Sequence, residues 1–311
     1  MIFVFLATSF SQIVALGVDF SSETDVVVQN TNFISLSGTN GGGLYYNNGA
    51  GKVSLISCFF HLCQATGYGG GAFLASGNIN VESTCFYKCK STNQGDAAKF
   101  SSSNLTSFMT SLSLCPISMT GSSANSILYS GDSLTISNFN SSYNNQNTWG
   151  NSICTVSYVS CDLKYFTLIG GSSSDGAALN IHGSATKYIF TKGNIMSIAT
   201  KTTYGLLWTN GDCRNLIVYD TLFMKISGTA PLVKCDTSKA SLAQLVRCQI
   251  EYPASQLGGA PTSSCIFATV AMTLNLKHLN SWECRNDQYF TYFLKTPAMA
   301  YVQVLFMLFT Q

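Results

Sequence analysis

Cysteines are the residues of this 311-residue chain that most readily suggest chemistry, and there are twelve of them. Cys58-x4-Cys63 and Cys85-x3-Cys89 approach the close spacing of cysteine pairs in structural zinc sites. An even number of cysteines favours disulfides in an exported protein, and a buried cysteine can also serve as a small apolar side chain. Because a sequence repeat already accounts for the spacing, we expect no metal site and no cofactor.

Catalytic acids are scarce. The chain has 14 acidic residues, and none forms an Asp-Asp pair. Hydrolysis of a glycosidic bond requires two carboxylates at a defined separation. His61, His182 and His278 have no acidic companions that would make them general bases. We therefore expect no catalytic residues.

A repeat organises these residues, and two clear copies lie between residues 58 and 100. The first copy is Cys-Phe-Phe-His-Leu-Cys (58–63) followed by Gly-Gly-Gly-Ala-Phe (69–73). The second is Cys-Phe-Tyr-Lys-Cys (85–89) followed by Gly-Asp-Ala-Ala (95–98). A period of 20 to 50 residues is typical of solenoids and propellers.

Two looser series carry the same period along most of the chain, with steps of 25 to 29 residues. The predicted corner positions are Gly41, Gly69, Gly95, Gly121, Gly150, Gly176, Gly205, Ala230 and Gly258. The predicted core column is Phe33, Phe59, Phe86, Leu112, Phe139, Phe166, Ile195, Phe223 and Ile250.

Short runs rich in Val, Ile, Phe and Thr, separated by Gly, Asn and Ser, indicate several strands per repeat. A period near 27 residues favours a parallel β-helix over a propeller, whose blades need roughly 40 residues. We therefore predict an all-β solenoid of about ten coils, in which like side chains stack about 4.8 Å apart. That stacking brings Cys58 near Cys85 and Cys63 near Cys89, within the roughly 4.4–6.8 Å that a disulfide needs. Reduced, stacked thiols remain the alternative for these four.

The glycine-rich corners and Cys-Phe starts resemble the right-handed parallel β-helix (pectin-lyase-like) superfamily. More narrowly they are similar to polymorphic-outer-membrane-protein-type repeats and to surface proteins of parasitic protists. The closest match is Gly-Gly-Ala-Phe at 70–73, whereas Cys63 and Cys89 stand where those repeats have Asn. The resemblance implies a right-handed solenoid and surface exposure. Lyases of the superfamily use an acidic calcium cluster, which this chain lacks in sequence.

The two ends differ from the repeat. Residues 1–17 read as a signal peptide, with a buried first strand as the alternative. Residues 18–297 are predicted to form a single β-helix domain. Residues 298–311 are apolar over twelve positions, and are either a final coil or a shortened membrane anchor. Asn104 and Asn140 begin Asn-x-Ser/Thr sequences and are candidate glycosylation sites. Asn140 directly follows Phe139, at a predicted corner, and is expected to be the more exposed of the two.

Composition completes the functional prediction. Only 10% of residues are charged and the net charge is +2, so the sequence has no basic stripe for nucleic acid. We predict a non-catalytic secreted or cell-surface protein that adheres to glycan or protein surfaces. The alternatives are a carbohydrate-active enzyme, a polysaccharide lyase or glycosidase, and a structural spacer.

Overall fold

The structure is a computed structural model. It describes residues 3–6, 17–116, 125–146, 152–156, 160–173, 178–182, 187–200, 205–209, 216–236, 243–251, 254–260, 262–263 and 265–267. The predicted core and corner positions fall within these ranges, except Gly121, Gly150 and Gly176, which lie outside the described residues. His278 and the apolar segment 298–311 also lie outside them.

Almost all regular structure in the described residues is β-strand, with one 3-10 turn at Ala254–Gln256. The strands are β1 (Phe3–Leu6), β2 (Val18–Asp19), β3 (Asp25–Gln29), β4 (Asn32–Ile34), β5 (Ser37–Gly38), β6 (Leu44–Ile56), β7 (Phe59–His61), β8 (Gln64–Ala65), β9 (Ala72–Glu82), β10 (Cys85–Tyr87), β11 (Lys90–Ser91), β12 (Ala98–Ser113), β13 (Ile127–Ser142), β14 (Asn145–Gln146), β15 (Ile153–Val156), β16 (Ser160–Ile169), β17 (Ser172–Ser173), β18 (Leu179–His182), β19 (Lys187–Met196), β20 (Ala199–Thr200), β21 (Leu207–Thr209), β22 (Leu216–Tyr219), β23 (Leu222–Met224), β24 (Ser227–Gly228), β25 (Val233–Cys235), β26 (Gln244–Val246), β27 (Gln249–Ile250), β28 (Thr262–Ser263) and β29 (Ile266–Phe267).

Residues 44–65 illustrate one turn of the solenoid. β6 bends near the register shift between Asn48 and Lys52, β7 continues after a corner, and β8 closes the turn. Each segment pairs in parallel with the equivalent segment of the next turn, as in the pairing of β6 with β9 and of β8 with β11. A single turn cannot bury its own apolar side, so the core exists only because turns stack.

The all-β parallel solenoid with a period near 27 residues is confirmed, with about seven turns rather than about ten. Its closing side carries three two-residue strands in one sheet and four in another, so seven of the described turns are fully closed, and the segment that includes β7 continues beyond them. β1 pairs with β3, so residues 3–6 continue the sheet, and export remains a prediction.

The core column contains stacked aromatic rings. The centroids of Phe33 and Phe60 lie 4.5 Å apart and those of Phe60 and Phe86 lie 4.8 Å apart, with interplanar angles of 4° and 12°. The register continues this column through the remaining turns. Its members are Phe33, Phe60, Phe86, Leu112, Ser141, Leu168, Ile195, Phe223 and Ile250.

Three predicted members of the column are therefore corrected. Phe59 pairs with Cys85, one residue away from the column, and strand alternation points adjacent residues to opposite sides. Phe139 and Phe166 pair with each other in a second buried column, two residues earlier along each strand. Ser141 and Leu168 occupy the column positions that were predicted for Phe139 and Phe166.

Three predicted corner glycines have the expected geometry. Gly41, Gly69 and Gly95 all have positive φ, between 62° and 71°, on successive turns. A Cβ at Gly69 would lie 2.2 Å from the carbonyl oxygen of Ala72, so only glycine fits. Gly205 departs from the prediction: the pairing of Leu207 with Val233 places it one residue beyond the corner. Gly258 has a φ of 72° but lies beside the Val233 carbonyl, on another part of the turn.

Two further corners use residues other than glycine, which the glycine series did not reveal. Sixteen described non-glycine residues have positive φ. They form two series, one before and one after the three-residue segment to which β7 belongs. The first is Asn30, Ser57, Ser83, Met109, Asn138, Tyr165, Lys192, Asp220 and Arg247; the second is Ser35, Leu62, Lys88, Leu114, Tyr143, Ser197 and Lys225.

Candidate binding face

The outward side of the second segment of β6, β9, β12, β13 and β16 presents polar side chains in register. We call its three central turns the polar face. It consists of Asn78, Asn80, Asn104, Thr106, Ser133 and Thr135. All six side chains are exposed or half-buried, while the residues between them, such as Ile79 and Leu105, fill the core. Successive residues of a strand point to opposite sides, so the residues on either side of each core residue point outward.

Hydrogen bonds link the polar face across turns. Thr106 Oγ1 donates to Asn80 Oδ1 at 2.9 Å, and Asn104 Nδ2 donates to Asn78 Oδ1 at 3.4 Å. These bonds leave the other amide and hydroxyl valences directed to the outside, so the face combines donors and acceptors. The same groups recur about every 4.8 Å along the solenoid axis.

The six residues of the polar face are uncharged, and charged side chains lie at its borders: Glu82 is two residues beyond Asn80 on β9, and others lie on the neighbouring turns. Lys52 precedes it, and Asp162 follows it in the same columns. Asp162 Oδ2 lies 2.8 Å from Lys164 Nζ. The centre of the face is thus suited to a neutral ligand that offers hydroxyl or amide groups.

An aromatic platform lies on the outward side of the first segment of the same strands. The rings of Tyr45 and Phe73 stack with centroids 5.3 Å apart, and Tyr68 lies 6.5 Å from Phe73. Lys99 Nζ lies 3.7 Å from the Tyr68 ring centroid, and partial burial lowers the pKa of its ammonium group. Asn47 Nδ2 donates to the Tyr45 hydroxyl at 3.2 Å. Half-buried aromatic faces beside amides are suited to stacking on a planar or sugar ring.

Neither surface was predicted from the sequence, although a signal for the polar face was present. The triplets Asn-x-Asn, Asn-x-Thr and Ser-x-Thr at 78–80, 104–106 and 133–135 recur with the solenoid period. Once the inward residue of each triplet is known, the outward pair follows. The aromatic platform has no comparable triplet, since Tyr68 comes from a corner and not from a strand.

Of the three histidines considered for catalysis, His61 is the one whose side chain the structure describes. His61 stacks between Phe59 and Tyr87, with centroid distances of 5.7 and 5.3 Å, and burial together with Lys88 lowers its pKa. Asp96 accepts a hydrogen bond from the Ser91 amide at 2.7 Å, which fits the role of a corner cap. Among the described residues no group of three or more His, Cys, Asp or Glu side chains could hold a metal ion.

Both predicted disulfides are corrected. Cys58, Cys63 and Cys89 are thiols. The register places Cys58 beside Thr84, because Phe59 is the residue that pairs with Cys85. Cys63 and Cys89 do lie on neighbouring turns, but their thiols are directed to the backbone oxygens of Phe33 and Phe60, at 3.3 and 3.5 Å. Burial raises the pKa of both thiols well above the usual range.

The candidate glycosylation sites differ in exposure. Asn104 is exposed on the polar face, whereas Asn140 is only 4% exposed, opposite to the order expected from its corner-like sequence. Asn140 is not at a corner: it follows the core residue Phe139 within β13.

Comparison with protein-family models, curated proteins and solved structures finds no match to this chain. Within the described residues, no helix is long and apolar enough to cross a membrane.

Proposed function

We propose that this protein is a non-catalytic surface or secreted β-solenoid that adheres to glycans through the polar face. The observation that carries the proposal is the exposed, uncharged and in-register set of amides and hydroxyls over three consecutive turns. Glycans offer hydroxyl groups that pair with such side chains, and a repeating glycan would meet equivalent groups on each turn. Weak contacts then add up over the surface, as in other multivalent recognition.

The aromatic platform supports a glycan over a protein ligand. Its half-buried rings, Tyr45 and Phe73, belong to β6 and β9, and β9 also carries Asn78 and Asn80 of the polar face. Aromatic faces stack on apolar patches of ligands, and the adjacent Asn47 amide supplies a hydrogen-bonding group.

The resemblance to pectin-lyase-like proteins and to polymorphic-outer-membrane-protein-type repeats belongs to this proposal. It is supported by the corner at 70–73, where a Cβ on Gly70 would lie 2.2 Å from the Asp96 oxygen and one on Gly71 would lie 2.7 Å from the Phe86 ring. Glycine is therefore required at the positions that carry the motif. A shared fold does not confer activity, so the adhesive role rests on the polar face and not on the resemblance.

A binding comparison tests the function. The secreted full chain would be applied to an array of neutral and acidic glycans, together with a variant carrying Asn78→Ala, Asn80→Ala and Thr135→Ala. Each lost hydrogen bond removes about 0.5–1.5 kcal/mol, so three should weaken binding by roughly 10- to 1,000-fold. Gln64→Ala, an exposed change on β8, is the matched control and should bind like the native protein.

Two outcomes would contradict the proposal. Equal binding by the triple variant and the native protein would remove the polar face from the site. Release of shortened glycan products by the native protein, with or without calcium, would instead support the carbohydrate-active enzyme.

A further inference from the structure

Phe108 is exposed on the outside of β12, at the border of the polar face. Its side chain points outward, because its neighbour Ser107 and the Val81 that pairs with Ser107 are both buried, and Phe108 is 41% exposed. It lies two residues beyond Thr106, on the central turn of the polar face. A single exposed aromatic residue is common on protein surfaces, so the exposure of Phe108 alone indicates no function. The residues around the ring distinguish it.

The register places Phe108 between two polar side chains. Phe108 pairs with Glu82 of β9 on one side and with Ser137 of β13 on the other. All three side chains point outward from consecutive turns, which lie about 4.8 Å apart. We call these three residues the Phe108 site. They form a third column beside the two columns of the polar face, so a ligand on that face reaches them without leaving it.

The Phe108 ring has no aromatic or cationic partner within the part of the chain that the structure describes. Other outward rings of the solenoid do have such partners. Tyr45 stacks on Phe73 with centroids 5.3 Å apart. The Arg247 guanidinium lies 5.7 Å from the centroid of the Tyr219 ring. The Phe108 ring is thus the outward aromatic surface beside the polar face that is available to a ligand.

Glu82 places a carboxylate next to that ring. Its side chain is half-buried, and among the described residues its carboxylate makes no ion pair or hydrogen bond. The residues that pair with it on the adjacent turns, Ile56 and Phe108, carry no charge that would neutralise it. An ionised carboxylate only accepts hydrogen bonds, and its two oxygens can accept from two neighbouring hydroxyl groups at once.

We propose that the Phe108 site binds one neutral pyranose sugar, whose C–H face stacks on Phe108 while two neighbouring hydroxyls donate to Glu82. This inference rests on the proposed function, because the polar face holds the rest of the glycan. Stacking on an aromatic ring requires a flat apolar surface, and a pyranose offers one where its C–H bonds point to the same side. The carboxylate of Glu82 repels acidic sugars, so the site selects neutral ones by an unfavourable contact as well as by favourable ones.

A magnetic resonance titration tests the stacking. The secreted full chain would be mixed in turn with the methyl glycosides of galactose, glucose and mannose. In the native protein, the C–H protons of a bound sugar are expected to move upfield, because they lie over the Phe108 ring. Phe108→Leu keeps an apolar side chain without an aromatic ring, so it should bind more weakly and lose the upfield displacement. No displacement in the native protein, or one that persists in Phe108→Leu, would overturn the proposal.

An array of neutral and acidic glycans tests the affinity. Phe108→Ala is expected to weaken binding to neutral glycans about 3- to 10-fold. Tyr143→Ala is the matched control, since Tyr143 is 47% exposed at a corner away from the polar face, and it should bind like the native protein. Equal urea unfolding midpoints would show that both variants are folded.

The same array tests the charge of Glu82. Glu82→Gln should weaken binding to neutral glycans about 3- to 10-fold and increase binding to acidic ones, because the repulsion is removed. Asp236→Asn removes an exposed carboxylate several turns away and should change neither. An unchanged preference for neutral over acidic glycans in Glu82→Gln would overturn the proposal, as would binding of acidic glycans alone by the native protein.

The triple variant of the polar face separates this inference from the proposed function. If that variant binds weakly while Phe108→Ala and Glu82→Gln bind like the native protein, the polar face is the site and the Phe108 site is not part of it. If the triple variant also binds like the native protein, both proposals are wrong.

Discussion

The ring of Phe166 occupies the space that a side chain at Gly193 would need. The two residues are partners in adjacent turns, and a Cβ on Gly193 would lie 2.1 Å from Cζ of the Phe166 ring. Phe166 is fully buried, so the ring has no open space into which it could turn. The glycine therefore completes the second buried column by its small size and not by an unusual φ.

Gly193→Ala is expected to destabilise the protein by about 1–3 kcal/mol, the usual cost of overpacking a core. Gly49→Ala is the control, since no atom lies within 4 Å of a Cβ there, and it should change stability by less than about 0.5 kcal/mol. Urea unfolding measures both. Phe166→Leu should lower the free energy of unfolding less in the Gly193→Ala background than in the native protein. If the losses from the two substitutions simply add, the contact between Phe166 and Gly193 is contradicted.

The sequence predicted the period and the strands of the solenoid, but it did not fix the register. Phe59 and Phe60 are adjacent and both apolar, so composition cannot decide which one points inward, and a slip of one residue reverses every side chain. The corners around β7 use Ser57 and Leu62 in the left-handed conformation, which a search for glycine cannot detect. The same error of one residue led to the predicted bond between Cys58 and Cys85.

The polar face followed from the sequence only in part. The recurrence of Asn-x-Asn and Asn-x-Thr was readable, but its exposure depends on which residue of each triplet faces the core. The burial of Phe59, whose side chain points outward from β7, was not predictable from the repeat, because Asn78 points outward from β9 and is exposed.

Cys58 belongs to a column that contains Thr31 and Thr84, so Cys58→Thr should be tolerated. Its thiol approaches the carbonyl oxygens of Val28 and Ile56 at 3.3 and 3.5 Å, and Thr84 makes the equivalent bond to Glu82 at 3.0 Å. We expect Cys58→Thr to lie within about 1 kcal/mol of the native stability, and Cys58→Ala to cost more because the donor is lost. Equal losses for the two variants in urea unfolding would contradict this role.

The same residue makes stability depend on alkaline pH. Burial raises the pKa of Cys58 to about 12, whereas an unfolded thiol titrates near 8.5. The contribution of this raised pKa to the free energy of unfolding is fully present below about pH 8.5. It is lost as the pH rises toward 12, because over that range only the unfolded state releases the proton. The urea midpoint should therefore fall less between pH 7 and pH 10.5 in Cys58→Thr than in the native protein. An identical fall in both proteins would contradict this assignment.

Arg247 and Asp220 form a paired contact between adjacent turns that should respond to acid. Arg247 Nε donates to Oδ1 at 2.7 Å and Nη2 donates to Oδ2 at 2.9 Å, and this bonding holds the pKa of Asp220 below its ordinary value. The pair's contribution is present above the ordinary Asp pKa and is lost as the pH falls through the lowered one. Arg247→Gln should lower the unfolding midpoint at pH 7 and have no effect near pH 2.

Lys225→Gln is the control for that experiment, because it removes one exposed positive charge at the other corner of the same segment. Lys225→Gln should leave the unfolding midpoint almost unchanged at both pH 7 and pH 2. High salt should also reduce the effect of Arg247→Gln, since both side chains are partly exposed. A loss of the same size at pH 2 and pH 7 would show that Arg247 acts through packing and not through its charge.

Glycosylation of Asn104 would report on export and on the polar face together. In secretion from a eukaryotic host, we expect an N-linked glycan at Asn104 and none at Asn140, whose buried position leaves no room for one in the folded protein. Enzymatic deglycosylation should then lower the mass of the native protein and of Asn140→Gln, but not of Asn104→Gln. A glycan at Asn104 also stands among the groups proposed to bind, so the native glycoprotein should bind glycans more weakly than after deglycosylation. If deglycosylation leaves binding unchanged while Asn104 was occupied, adhesion does not use the polar face.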